Sequence, residues 1–153
     1  MHRHAPAGYD CPFCAIVRAE PRPSLATVPE DVVWRDGRTT AWINCRWWER
    51  NPGGVVVVPD EHVENLYELE RDLAADLHET VRRVAIAMKR AYGCAGTSTR
   101  QHNEPAAGQE VWHHHVHVLP REPRDGLYGS AHRETSPQER RPYAERLRAA
   151  LRP

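Results

Sequence analysis

An α+β fold, in which about five antiparallel strands form one sheet carrying a single long helix, is what the 153 residues predict. Three features carry that expectation. Val32-Val33-Trp34-Arg35 and Arg38-Thr39-Thr40-Ala41-Trp42-Ile43 flank Asp36-Gly37, a two-residue turn signal that joins antiparallel strands. Val55-Val56-Val57-Val58, opened by Gly53-Gly54 and closed by Pro59-Asp60, is an unbroken apolar run of the length a central strand needs when both its faces are covered. From Glu70 to Tyr92 the residues Leu73, Leu77, Val81, Ala85, Met88 and Tyr92 recur at helical spacing, and Gly93 supplies the stop.

Taken in order, the chain opens with a flexible tail over residues 1–10. Cys11-Pro12-Phe13-Cys14 follows, a C-x-x-C spacing with no βαβ pattern behind it, which favours metal binding over thioredoxin-like redox use. Cys45 and Cys94 read as plain buried thiols. Pro21, Pro23 and Pro29 mark a loop before the hairpin, and Asn44 to Pro52 reads as a second loop whose adjacent Trp47 and Trp48 form a packed corner or a dimer surface. His62 comes just after the buried strand, and Thr97 to Asn103 reads as the strand leading into the last hairpin, with Glu104 to Gly108 as its loop.

Gly108-Gln109-Glu110-Val111-Trp112-His113-His114-His115-Val116-His117-Val118-Leu119-Pro120 holds the densest chemistry of the chain. In an extended strand side chains alternate between faces, so His113, His115 and His117 would share one face while Trp112, His114, Val116 and Val118 take the other. Imidazoles that titrate near neutrality supply a nucleophile, cationic partners for an anion, or metal ligands. His2, His4, His78 and His132 read as solvated, and His114 as a core or interface residue. Beyond Pro120 the chain is loop-rich and basic, with eight arginines against five acids from Arg121 onward; Pro142 is placed to begin a short helix from Tyr143 to Leu151.

Basic and acidic residues balance at 21 each, so no overall field draws the chain to nucleic acid or a membrane surface. No apolar run approaches the length of a membrane span, and the first residues lack a signal-peptide core, which together predict a cytoplasmic protein.

His113-x-His115-x-His117 followed by Val118-Leu119-Pro120 and preceded by Gly108-Gln109 resembles the histidine triad (HIT) family of nucleotide hydrolases and nucleotidyl transferases, over about Cys11 to Arg121. The resemblance implies a HIT-like domain at 11–121 with an Arg-rich C-terminal extension at 122–153, and a homodimer whose sheets are continuous. It makes His115 the nucleophile toward the α-phosphorus of a nucleoside 5′-phosphate derivative, with His117 and Gln109 as donors to the nonbridging oxygens. It places phosphate contacts at His102 or Asn103, eleven or ten residues ahead of His113, and puts Asn44 where an acid often binds ribose hydroxyls. Glu110 stands where one branch has Ser or Thr, and Gly54 where the family has a histidine. Zinc-bearing bacterial-type members imply a structural Zn²⁺ held by Cys11, Cys14, His62 and His113. The substrate so implied is an adenosine phosphoramidate, a dinucleoside polyphosphate or a related ester, adenine being the family's usual base. The alternatives are a nucleotide-binding module that has lost turnover, motivated by Gly54 and Asn44, and a zinc-stabilised nucleic-acid end binder, motivated by the basic extension. The extension from Gly126 is expected to shape substrate choice while folding proceeds without it.

Overall fold

A computed structural model describes residues 3–152; His2 lies outside the described residues. The chain runs α1 (Pro12–Val17), β1 (Val32–Arg35), β2 (Thr39–Ile43), β3 (Arg46–Trp48), β4 (Val55–Pro59), α2 (Arg71–Tyr92), β5 (Gly96–Arg100), β6 (Val116–Arg121), β7 (His132–Glu134) and α3 (Pro137–Leu151). Five strands form one antiparallel sheet in the order β1-β2-β4-β6-β5, and β3 pairs with β7 in a separate ribbon.

The β1–β2 turn forms because the Asp36 carboxylate accepts the amides of Arg38 and Thr39 at 2.9 and 2.7 Å, while Gly37 takes the positive φ. In β4 every residue is buried, since the two faces of the strand meet different partners. Val55 and Val57 join Ile43 and Val118 under Leu77, Val81, Val84 and Met88 of α2 and Ala144 and Leu147 of α3. Val56 and Val58 join Trp42 and Ile16 on the opposite face, with Phe13 and Leu25 alongside. Helix α2 begins one residue after the expected Glu70 and ends at Gly93, whose φ of 69° closes the last turn through a bond to the Lys89 carbonyl. No helix among the described residues is long and apolar enough to cross a membrane.

Several expectations are corrected. The strand carrying the histidines begins only at Val116; residues 111–115 bend, the His113 amide bonding the Val111 carbonyl and the His114 amide the Val63 carbonyl. The loop from Asn44 contains β3, held by pairing with a strand distant in sequence, and Trp47 and Trp48 are both buried. Helix α3 begins at Pro137 rather than Pro142, because Ser136 and Glu139 form a reciprocal capping box and Pro137 occupies the first helical position. The C-terminal segment is part of the core: Ala144 and Leu147 are fully buried, and Arg140, also fully buried, grips the Asp31 carboxylate at 2.9 and 2.8 Å. The N-terminal residues are laid along the domain, Arg3 on Glu68 and His4 on Glu104, with the Tyr9 hydroxyl accepting the Trp112 amide. Cys45 is half-buried, whereas Cys94 is in the core.

Candidate functional site

The four candidate metal ligands come from three distant pieces of chain. Cys11 caps α1 and its Sγ accepts the Cys14 amide at 3.4 Å, so the C-x-x-C spacing turns both thiols to one side of a single helical turn. His62 follows β4, and His113 precedes β6. Their ligand atoms all lie within 4.8 Å of one another: Cys11 Sγ is 3.4 Å and Cys14 Sγ 3.5 Å from His113 Nδ1, and Cys14 Sγ is 3.2 Å from His62 Nδ1. Ligands at normal Zn–S and Zn–N bond lengths around a tetrahedron stand about 3.3–3.8 Å apart, so the set fits a closed Cys₂His₂ zinc site. The other nitrogen of His113 donates to the Pro59 carbonyl at 2.9 Å, which turns Nδ1 toward the thiols. Burial pushes His113 down to about 4 and, helped by the neighbouring Cys11, pushes the Cys14 thiol up to about 12.

Beside this cluster is a cavity of ≈ 410 Å³ lined by His115 and His117. A larger one, ≈ 590 Å³, lies behind the proline-rich loop, and no histidine lines it. His115 is 8% exposed, and its Nδ1 donates to the carbonyl of His113 at 2.7 Å, leaving Nε2 as the free ring nitrogen. The rings of His115 and His117 are 5.2 Å apart, and Phe13 meets His115 edge-on at 5.2 Å. Burial lowers the affinity of His115 for a proton and takes His117 down to about 3, so both rings are neutral near pH 7.

Sheet register orders the cavity lining: Trp42, Val56, His117 and Arg100 are successive partners across β2, β4, β6 and β5, so its two ends differ. One is apolar, with Phe13, Ile16, Leu25, Trp42 and Val56. The other is polar and bounded by the β3–β7 ribbon, with Arg46, Trp48, Arg100, His102 and His132. Asn44 lies on the wall, its Oδ1 accepting the Arg46 amide at 3.3 Å. His102 also reaches the cavity; its Nδ1 donates to the Ala107 carbonyl. That packing requires Gly108, which has φ +87° and where a Cβ would stand 3.2 Å from His102 Nδ1.

Gln109 and Asn103 are not brought to the cavity. The Gln109 amide is engaged on three backbone groups, accepting the Glu104 amide at 2.8 Å and donating to the Glu64 and Val111 carbonyls at 2.7 and 3.0 Å. It therefore holds the loop in front of the triad instead of offering donors to an oxyanion. Asn103 accepts the Leu66 amide at 2.9 Å and bonds Gln101, in the irregular stretch that follows the end of β5 at Arg100. Glu110 is an exposed carboxylate paired with Arg46 at 3.2 Å. At Gly54 a Cβ would meet Leu119 at 3.0 Å; Leu119 packs with Trp48 and Leu127, apolar filling in the region where a histidine was expected. His114 is buried, and His132, exposed on β7, stacks edge-on against Trp48 at 5.7 Å. His132 is exposed, as its sequence suggests, yet lines the cavity, and Arg100 joins it there; nothing local in either segment marks that placement.

Residues 26–124 match the HIT domain. An uncharacterized HIT-like protein of Methanocaldococcus jannaschii is 32% identical over 76% of this chain and 82% of its own length. Adenylylsulfatase HINT3 of Arabidopsis thaliana is 30% identical, covering 79% of this chain and 57% of that protein. Among solved structures, a Zn-bound histidine triad family protein from Mycobacterium smegmatis superposes with a TM-score of 0.76 at 26% identity, over 93% of each chain. On the matched domain and the archaeal relative together, this chain belongs to the HIT family.

Proposed function

We propose that the protein cleaves nucleoside 5′-phosphate derivatives at the α-phosphorus by way of a nucleotidyl-His115 intermediate. The observation that carries this reading is the His115 ring: neutral, held by its Nδ1–H on the His113 carbonyl, with Nε2 free at a cavity large enough for a nucleotide. The Nε2 lone pair forms an N–P bond as the bond from phosphorus to the leaving group breaks. Water then attacks phosphorus, the N–P bond breaks, and the nucleoside monophosphate leaves with His115 restored. His117, whose ring neighbours that of His115, donates an N–H toward a nonbridging oxygen, and His102 stands at the cavity on the facing loop, its Nδ1 held by the Ala107 carbonyl.

The nucleoside occupies the apolar end, its base against Phe13 and Trp42 and its ribose toward Asn44. Cys11, Cys14, His62 and His113 would hold one structural zinc, which fixes the segment from which His115 projects. The outer edge of β5 is the place for a second protomer to continue the sheet. Four free thiols suit a reducing compartment such as the cytoplasm. The named activity of the Arabidopsis relative, an adenylylsulfatase, supports adenylyl compounds as the substrate class. Incubation with adenosine 5′-phosphosulfate, adenosine 5′-phosphoramidate and diadenosine polyphosphates should release AMP and, after quench in alkaline denaturant, which preserves the P–N bond, leave nucleotide on His115. Absence of both products on every substrate would overturn the reading.

A further inference from the structure

Arg100 differs from the other arginine at the cavity. Arg46 is paired with Glu110 at 3.2 Å, whereas the guanidinium of Arg100 has no hydrogen bond or ion pair among the described residues, and its Nε is buried without an acceptor. Its charge lies 5.0 Å over the face of Trp48, which orients the group without neutralising it. Arg100 as a whole is half-buried, but a buried Nε–H lacking an acceptor is costly, and a ligand anion would relieve that cost. Placement supports this. Arg100 on β5 stands directly opposite His117 on β6, so the two side chains share a face of the sheet, and the His117 ring is 5.2 Å from that of His115. Trp48 and His132, from the β3–β7 ribbon, line the same end of the cavity, away from Phe13 and Trp42.

We propose that Arg100 is the receptor for an anionic leaving group, and that the favoured substrates carry a sulfate or a phosphate on the α-phosphoryl group rather than an amine. The inference rests on His115 as nucleophile. As the N–P bond forms at Nε2, the P–O bond to the leaving group breaks and its electron pair stays on that oxygen, so the group departs with added negative charge and requires no proton. The planar fork of Arg100 meets that charge with two N–H donors. An amine leaving group takes the P–N electron pair, must collect a proton, and gains nothing from a fixed cation beside it.

The test compares kcat/KM of the full chain and of Arg100→Gln and Arg100→Lys on adenosine 5′-phosphosulfate, diadenosine tetraphosphate and adenosine 5′-phosphoramidate. Arg100→Gln should lower the value for an anionic leaving group by about 10- to 100-fold and leave phosphoramidate within about threefold, with Arg100→Lys restoring part of the loss. The greater loss, on phosphosulfate or on tetraphosphate, identifies which oxyanion the residue serves. Equal losses on all three substrates, or none, would overturn the proposal. If the wild type turns over none of them, the reading of His115 fails, and Arg100 is then judged by calorimetric binding of adenosine 5′-phosphosulfate and of adenosine to His115→Ala with and without Arg100→Gln. About tenfold weaker phosphosulfate binding with adenosine unaffected sustains it; equal affinities for phosphosulfate overturn it.

Discussion

His115 is fixed by its own neighbour: the bond from Nδ1 to the His113 carbonyl sets both tautomer and ring direction, and the bend at residues 111–115 makes that short reach possible. Replacing His115 with Ala removes the attacking nitrogen while His117, His102 and the apolar wall remain. Turnover should fall by at least about 10³-fold with nucleotide affinity little changed, as steady-state kinetics and equilibrium binding would show. His117 carries a stability prediction. Folded, it gains a proton only at about 3, because burial opposes the charge, whereas in the unfolded chain it does so near the ordinary value of about 6.5. Between those values the unfolded state binds more protons, so the contribution is complete above pH 6.5 and is lost as the pH falls. The melting temperature should decline from pH 7 toward pH 4, and His117→Gln should flatten that decline. An unchanged slope in the variant would contradict the buried neutral ring. Asp125 acts lower on the scale: the Arg121 guanidinium holds its carboxyl far below the usual range, so its contribution persists until the pH drops below about 4.

At the scale of elements, α3 and β7 decide how the C-terminal segment behaves. Arg140 donates to both oxygens of Asp31 and to the carbonyls of Thr135 and Ala26, tying α3 to the loop whose Ala26 and Thr27 line the cavity. Gly53 records the same packing: at φ +85°, it leaves space where a Cβ would stand 2.5 Å from Tyr143 and 2.9 Å from Tyr92. Arg140→Met leaves a buried carboxylate unpaired and should cost about 3–5 kcal/mol in urea unfolding, while the double variant with Asp31→Leu should recover much of it. Truncation after Pro123 removes Ala144, Leu147 and Arg140 together. Circular dichroism of that product should show loss of the native fold, contrary to the expectation of an extension that folding can spare.

For the whole molecule, a zinc ion on the Cys₂His₂ cluster would fasten α1 to the ends of β4 and β6; without it α1 meets β4 through Ile16, Val56 and Val58. Such a clip stabilises because its ligands are deprotonated and assembled only in the folded chain. Protein purified without added metal should contain one zinc per chain by elemental analysis. Chelation, or Cys11→Ser with Cys14→Ser, should lower the melting temperature by more than about 10 °C and slow turnover with it. Unchanged melting would return the C-x-x-C to a role in packing α1. Four of the eight arginines of the C-terminal segment engage side chains among the described residues: Arg140 is buried on Asp31, Arg121 grips Asp125, Arg133 pairs with Glu139, and Arg146 lies over Tyr92 and Tyr143.

What the sequence determined by itself was carried by short-range signals. Asp36-Gly37 specified the hairpin, four valines the central strand, the spacing from Leu73 to Met88 and Gly93 the long helix, and each is written into a few consecutive residues because backbone periodicity and turn chemistry are local. The resemblance read from the triad and its leading Gly-Gln added the family and the four candidate ligand positions, whose donor atoms the structure brings within 4.8 Å of one another. Tertiary structure alone decided the rest. Pairing of β3 with β7, burial of Arg140 on Asp31, diversion of Gln109 to backbone groups and the unpaired state of Arg100 all depend on residues far apart in the chain. No local period encodes such partners, since a polar side chain acquires its role from the donors and acceptors that folding places around it.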